Sequence, residues 1–201
     1  YSVAPNHFPT SVRELGEAVA YIREHAAEWK VDPAKIIVCG SSAAGHLACS
    51  LGVFWDNELV YDAIGRTPAQ IRPDGLILCY PVITGGEYAH VNSFKRLLGD
   101  DVTQEQRDAV SLENFVTEQT PRAFIWHTYT DENVPVENSL LLAAAMKRKN
   151  VNFELHIYPT GGHGLSLADE ETAGNGFQVV EQCQSWIPLV KMWLKHFDAS
   201  C

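Results

Sequence analysis

The segment at residues 39–46 reads Cys-Gly-Ser-Ser-Ala-Ala-Gly-His and indicates a tight turn. An apolar, β-branched run at 36–39 leads into it, and a helix-forming run of small residues leads out. A serine on a tight strand-to-helix turn needs a very small residue two positions earlier, because strand and helix approach closely there. Gly40 stands two positions before Ser42, whereas a cysteine stands two before Ser41. The pattern therefore predicts a nucleophile elbow with Ser42 at its tip.

Two observations keep other interpretations open at this point. The pattern ends on Ala44 where a glycine is usual, although alanine is still small. A glycine-serine turn between a buried strand and a helix also fits the segment without any chemistry. The assignment of Ser42 as a nucleophile therefore depends on finding an acid and a base elsewhere in the chain.

Both partners follow apolar runs that predict buried strands. Asp131 lies just past the run at 124–128, and His163 lies in a glycine-rich loop after the run at 153–158. In open α/β sheets, catalytic groups gather at the carboxyl ends of the strands. The order Ser42, Asp131, His163 is the serine–acid–histidine order of α/β-hydrolases. The imidazole would take the proton of the serine hydroxyl, and the carboxylate would orient the imidazole.

Rival residues exist for the acid and the base. Glu132 is adjacent to Asp131 and could replace it, and Asp131 could be a turn carboxylate ahead of Pro135. Four other histidines compete with His163, namely His46, His90, His127 and His156. The histidines at 127 and 156 sit within strand patterns and favour structural packing. The histidine at 46 lies on the helix after the elbow and favours packing or the base of the site.

The pattern along the chain predicts an α/β fold. Four strands are expected, at Ile36–Cys39, Leu76–Tyr80, Phe124–Thr128 and Phe153–Tyr158. Helices are expected at 11–29, 136–149 and 177–197, the last kinked or divided by Pro188. Residues 84–120 have a weaker pattern that predicts short helices and loops.

Composition indicates a globular α/β domain and argues against several function classes. The formal charge of −10 disfavours nucleic acid as a partner, and no apolar run approaches the roughly 20 residues of a membrane span. Five cysteines show no framework spacing, which fits a reducing, cytoplasmic location. Cys39 and Cys79 fall in strand patterns that predict burial. No cysteine or histidine cluster predicts a metal, and nothing in the sequence calls for a cofactor.

Several blocks resemble the esterase/lipase branch of the α/β-hydrolases, in particular bacterial acetylxylan esterase-like or xylanase B-like esterases. The blocks are residues 1–5 with Phe8-Pro9, 39–48, 79–83, 126–128 with Asp131, 134–139 and 163–166. The resemblance implies Ser42 as nucleophile, Asp131 as acid and His163 as base, with the amide of Ala43 as one oxyanion donor. It also implies that the insertion at about 84–120 caps the site, where Tyr88, His90 and Phe94 could line a substrate pocket or simply pack the insertion.

The resemblance further implies that the chain is a single α/β-hydrolase domain, residues 1–201, without its N-terminal strands. In such families the block at residues 1–5 ends the fourth strand of an eight-stranded sheet, and a glycine-rich loop after the third strand supplies further oxyanion amides. The strand before Ser42 would then be an edge open to self-association. The expected activity is hydrolysis of short-chain, acetyl esters, with sugars as possible alcohols. Alternatives are a serine peptidase related to prolyl oligopeptidases and a non-catalytic binding protein of the same fold.

Overall fold

The computed structural model of the chain describes residues 7–174 and 179–197. Within these ranges four parallel strands form one sheet in the order β1-β2-β3-β4. The strands are β1 (Ile37–Ser41), β2 (Gly75–Cys79), β3 (Arg122–Thr128) and β4 (Phe153–Tyr158). All four predicted strands are confirmed, and the last has the predicted bounds. The block at residues 1–5, on which the expected truncation rests, lies outside the described residues.

Helices connect the strands, as a parallel sheet requires. They are α1 (Thr10–Glu24), α2 (Ala26–Trp29), α3 (Ala43–Phe54), α4 (Glu58–Tyr61), α5 (Pro68–Ile71), α6 (Val91–Leu98), α7 (Gln104–Asp108), α8 (Glu137–Arg148), α9 (Glu181–Gln184) and α10 (Trp186–Lys195). The helix expected at 11–29 is divided at His25, whose Nδ1 lies 2.8 Å from the Tyr21 carbonyl oxygen. The closing helix is divided at Ser185 rather than at Pro188. Pro188 lies in the first turn of α10, where an amide N–H has no partner within the helix, so proline is tolerated there.

The sheet is packed on both faces, as the continuous apolar strands predict. Ala123 and Ile125 of β3 face a core formed with α1, α3 and α8. Phe124 and Trp126 of β3 point the other way, into a core formed with α9 and α10. Alternate residues of one strand thus serve two cores, and β3 is buried almost throughout. The fold class is therefore α/β, with helices on both faces of a parallel sheet.

The first strand is less covered than the sequence predicts. Cys79 is buried, but Cys39 is exposed, so its predicted burial is wrong. The reason is position: β1 pairs only with β2 among the described residues, and α10 packs on the interior strand β3. Val38 and Gly40 face α3 and are buried, whereas Cys39 and Ser41 lie on the other face.

The insertion at 84–120 consists of α6, α7 and a short 3₁₀ helix at Leu112–Asn114, in agreement with the expected short helices and loops. It is held at the carboxyl end of the sheet by buried hydrogen bonds. The Asn138 side chain accepts from the N–H groups of Ile83 and Thr84 and donates to the Tyr88 carbonyl.

No helix within the described ranges combines the length and apolar character that a membrane span requires.

Candidate active site

Ser42 occupies a strained turn between β1 and α3. Its φ of 55° and ψ of −121° are rare for a residue with a side chain, and non-glycine residues with positive φ often mark functional sites. Backbone hydrogen bonds fix this conformation: the Ser42 N–H donates to the Cys79 carbonyl, and the Ser42 carbonyl accepts from Val82 and His46. The turn therefore has the geometry that the sequence predicts for a nucleophile elbow.

Close approach of backbones explains the small residues around this turn. A Cβ atom at Gly45 would lie 2.7 Å from the Cβ atom of Pro81 and 2.9 Å from its Cα atom. Non-bonded carbon atoms do not approach each other this closely. Only glycine therefore fits where α3 crosses the residues after β2. The glycine lets α3 begin directly behind Ser42.

Ser42, His163 and Asp131 form a continuous hydrogen-bonded chain. The Ser42 Oγ atom lies 2.7 Å from Nε2 of His163, and Nδ1 of His163 lies 2.7 Å from Oδ2 of Asp131. A carboxylate only accepts hydrogen bonds, so Nδ1 carries the proton and Nε2 is left to accept from the serine hydroxyl. The three side chains come from three different strand ends that the parallel sheet brings to one edge.

The Asp131 carboxylate is buried and fully hydrogen-bonded. Its Oδ1 atom accepts from the N–H groups of Asn133 and Val134, and its Oδ2 atom accepts from two imidazoles, those of His163 and His127. Burial by itself would raise the pKa of Asp131, but these donors outweigh it and hold the pKa well below its ordinary value. The side chain is therefore a carboxylate at neutral pH.

The structure also separates the predicted residues from most of their rivals. Ser41 is the last residue of β1, and Glu132 is exposed beside the buried Asp131. His156 lies on β4 and pairs with Glu154 at 2.7 Å. His90 bonds to Ser93 at 2.8 Å in the insertion.

The sequence patterns do not predict that His127 contributes to the site. It is completely buried in β3, as the strand pattern predicts, but its Nε2 atom lies 3.2 Å from Oδ2 of Asp131. The spacing of four residues between a strand histidine and the acid that follows the strand is the signal that could have found it.

A cavity of about 370 Å³ opens next to Ser42, with the following residue, Ala43, in its lining. Its lining combines apolar and hydrogen-bonding side chains and consists of Ala43, His46, Val82, His90, Asn92, Ser93, Phe94, Arg96 and Leu97. Two of the three predicted pocket residues, His90 and Phe94, are among them, and Phe94 also packs in a small core with Val82. Tyr88 is not among the described residues that line this cavity.

Charges connect this cavity to the Ser42–His163–Asp131 chain. Partial burial lowers the pKa of His90, the nearby His163 and Arg96 lower it further, and Asp131 opposes them. The charges of both His163 and Asp131 therefore affect the pKa of His90. The described residues contain no group of three or more side chains placed to hold a metal ion.

His46 joins α3 to the insertion. Its Nε2–H donates to the Val110 carbonyl at 3.0 Å, and its Nδ1 accepts from the Ser50 hydroxyl at 3.2 Å. Its ring meets Phe94 edge to face, with 5.6 Å between the ring centroids. Burial lowers the pKa of His46 to about 4, although the bond to Val110 raises it. His46 is therefore a neutral structural residue at the base of the cavity, as its helix position predicts.

Two relatives of this chain carry the names endo-1,4-beta-xylanase B and acetylxylan esterase. The chain is 41% identical over 164 residues to endo-1,4-beta-xylanase B of Butyrivibrio fibrisolvens, a match that covers 80% of this chain and 25% of that protein. It is 29% identical over 161 residues to an acetylxylan esterase of Xylanibacter ruminicola, covering 78% of this chain and 31% of the relative. The chain thus spans less than a third of the length of either relative.

A solved structure and a protein family agree with these relatives. An acetyl ester-xyloside bifunctional hydrolase from Caldicellulosiruptor lactoaceticus is 38% identical, with a TM-score of 0.75 over 93% of this chain and 68% of that chain. The structural similarity identifies the fold as that of the α/β-hydrolases. Residues 1–146 match the BD-FAE family. With most of its length matched, the chain belongs to the BD-FAE family of α/β-hydrolases.

Proposed function

We propose that this chain catalyses the hydrolysis of carboxylic esters, with Ser42 as nucleophile, His163 as base and Asp131 as acid. The observation that carries the proposal is the chain of two 2.7 Å hydrogen bonds that links the three side chains in the order the chemistry needs. Ser42 is partly accessible and the cavity lies beside it, so an ester carbonyl can reach the hydroxyl. The esterase names of two relatives agree with this chemistry.

The first half of the reaction forms an acyl-enzyme. Nε2 of His163 takes the proton of Ser42 Oγ while that oxygen attacks the ester carbonyl carbon. Asp131 stabilises the imidazolium that results, because its carboxylate accepts the Nδ1–H bond. The imidazolium then donates this proton to the alcohol oxygen of the substrate as the ester bond breaks. The acyl group remains on Ser42.

The second half releases the acid. A water molecule gives its proton to His163 and attacks the acyl carbon, and the same imidazolium protonates Ser42 as it leaves. In both halves negative charge develops on the carbonyl oxygen. The N–H of Ala43, the first residue of α3, is the expected donor to this oxygen, with the partial positive charge of the helix start behind it.

The substrate we propose is an ester of a short acyl group, acetyl, with a sugar as its alcohol. The apolar part of the cavity, at Val82, Phe94 and Leu97, is suited to a small acyl group. The side chains of His90 and Asn92 can hydrogen-bond sugar hydroxyls. The names of the acetylxylan esterase and the acetyl ester-xyloside hydrolase support this substrate class.

A panel of substrates tests the proposal. The chain is assayed with nitrophenyl esters of increasing acyl length, with acetylated xylo-oligosaccharides and with proline amides. The proposal expects turnover of acetyl esters that falls as the acyl chain lengthens, together with release of acetate from the oligosaccharides. Turnover of the amides alone would favour the peptidase alternative. No turnover of any substrate would favour a binding protein of this fold.

A further inference from the structure

A second histidine contacts the same carboxylate oxygen of Asp131 as His163 does. His127 lies in the interior strand β3 with a fully buried side chain, four residues before Asp131. Its Nε2 atom lies 3.2 Å from Oδ2 of Asp131 and 2.9 Å from the carbonyl oxygen of Val134. Its Nδ1 atom lies 2.8 Å from the hydroxyl of Ser139 in α8. Every polar atom of the ring thus has a partner.

The hydrogen-bond partners of His127 determine which ring nitrogen carries the proton. A carboxylate and a backbone carbonyl only accept hydrogen bonds, so Nε2 must carry a proton, which it shares between Asp131 and Val134. In the neutral ring Nδ1 then accepts from the hydroxyl of Ser139. The serine therefore holds His127 in the tautomer that donates to the acid. Oδ2 of Asp131 accepts from two imidazoles at once.

We propose that His127 is a positioning residue that holds Asp131 in the orientation in which it supports His163. Asp131 follows the end of β3 in a loop, where backbone N–H groups bond to its Oδ1 atom and the two imidazoles bond to its Oδ2 atom. The shared proton of His127 joins that oxygen to the loop carbonyl of Val134 and fixes both to the rigid sheet. The inference rests on the proposed function, because it matters only if Asp131 acts on His163.

Two substitutions of matched chemistry test it. In His127→Gln the longer side chain can present an amide N–H near the position of Nε2, whereas in His127→Asn the amide is too short to reach Asp131. We expect His127→Asn to lower kcat on an acetyl ester by about 10- to 100-fold, the range for losing one hydrogen bond to a charged group, with KM little changed. His127→Gln should recover most of kcat. The control is His156→Gln, which changes a histidine of β4 whose partner is Glu154, and should leave kcat unchanged.

A purely structural role would give another result. It would lower the melting temperature in both His127 variants and leave kcat of the folded protein the same in both, which would overturn the inference. If His127→Asn does not fold, Ser139→Ala decides, because it leaves His127 in place but removes the hydroxyl bound to Nδ1. We then expect a smaller fall in kcat, and unchanged kcat would contradict the inference. A wild-type chain without ester turnover would instead defeat the proposed function itself.

Discussion

A Cβ atom added to Gly40 would lie 2.1 Å from the backbone carbonyl oxygen of Ala44 and 2.5 Å from its carbonyl carbon. Both atoms belong to the first turn of α3, so they cannot move without unwinding the turn that follows Ser42. This contact is the physical reason for the glycine two positions before the serine. The position of the Ser42 hydroxyl therefore depends on the absence of a side chain at Gly40 in β1.

Gly40→Ala should therefore displace the nucleophile. We expect kcat/KM on an acetyl ester to fall by at least about 100-fold, because a displacement of about 1 Å in an active site costs that much. Gly174→Ala is the matched control, since its added Cβ atom meets nothing within 4 Å. The measurement is steady-state ester hydrolysis by the two variants. Near-normal activity in Gly40→Ala would mean that the elbow tolerates a side chain there.

Substitution distinguishes whether Asp131 or Glu132 is the acid. Asp131→Asn should lower kcat by about 10⁴-fold, since an amide favours the wrong tautomer of the histidine that it faces. Glu132→Gln should change kcat little, because Glu132 is exposed. Kinetics of both variants on the same ester provide the test. A larger loss in Glu132→Gln than in Asp131→Asn would move the acid by one position.

The sequence predicted those elements whose pattern is local. The apolar pattern predicts strand β4 with its observed bounds, and glycines, strand ends and chain order point to Ser42, Asp131 and His163. The strained φ of Ser42 follows from Gly40 and the small residues beside it. These features are encoded within a few neighbouring residues, so pattern and spacing are enough to find them.

Features that depend on tertiary packing were missed or wrong. Cys39 was expected to be buried, but a strand pattern does not show which face of an edge strand a helix covers. His127 was correctly expected in a packed strand, yet its bond to Asp131 depends on how the loop after β3 folds back. The division of the first helix at His25, where the imidazole lies next to the Tyr21 carbonyl, is likewise not visible in the apolar pattern.

The buried His46 should make the protein less stable as the pH falls. Burial keeps it neutral in the folded state down to a pH of about 4, whereas the unfolded chain binds a proton near pH 6.5. Between these values the unfolded state holds more protons, so the free energy of unfolding decreases as the pH is lowered. The full difference corresponds to roughly 3 kcal/mol.

Denaturant unfolding at pH 7 and pH 5 measures this effect. We expect His46→Gln to be less stable than wild type at pH 7 but to lose less stability between the two pH values. His196→Gln is the control, because it replaces an exposed histidine and leaves the buried His46 in place. An identical loss in wild type and His46→Gln would show that other groups cause the pH dependence.

Labelling with a fluorophosphonate tests whether Ser42 is the nucleophile. This reagent phosphonylates an activated serine, and mass spectrometry of the digested protein identifies the residue modified. We predict that the label is found on Ser42, that Ser41→Ala is still labelled, and that Ser42→Ala is neither labelled nor active on acetyl esters beyond a residual rate. A label on Ser41, or normal ester turnover by Ser42→Ala, would contradict the account.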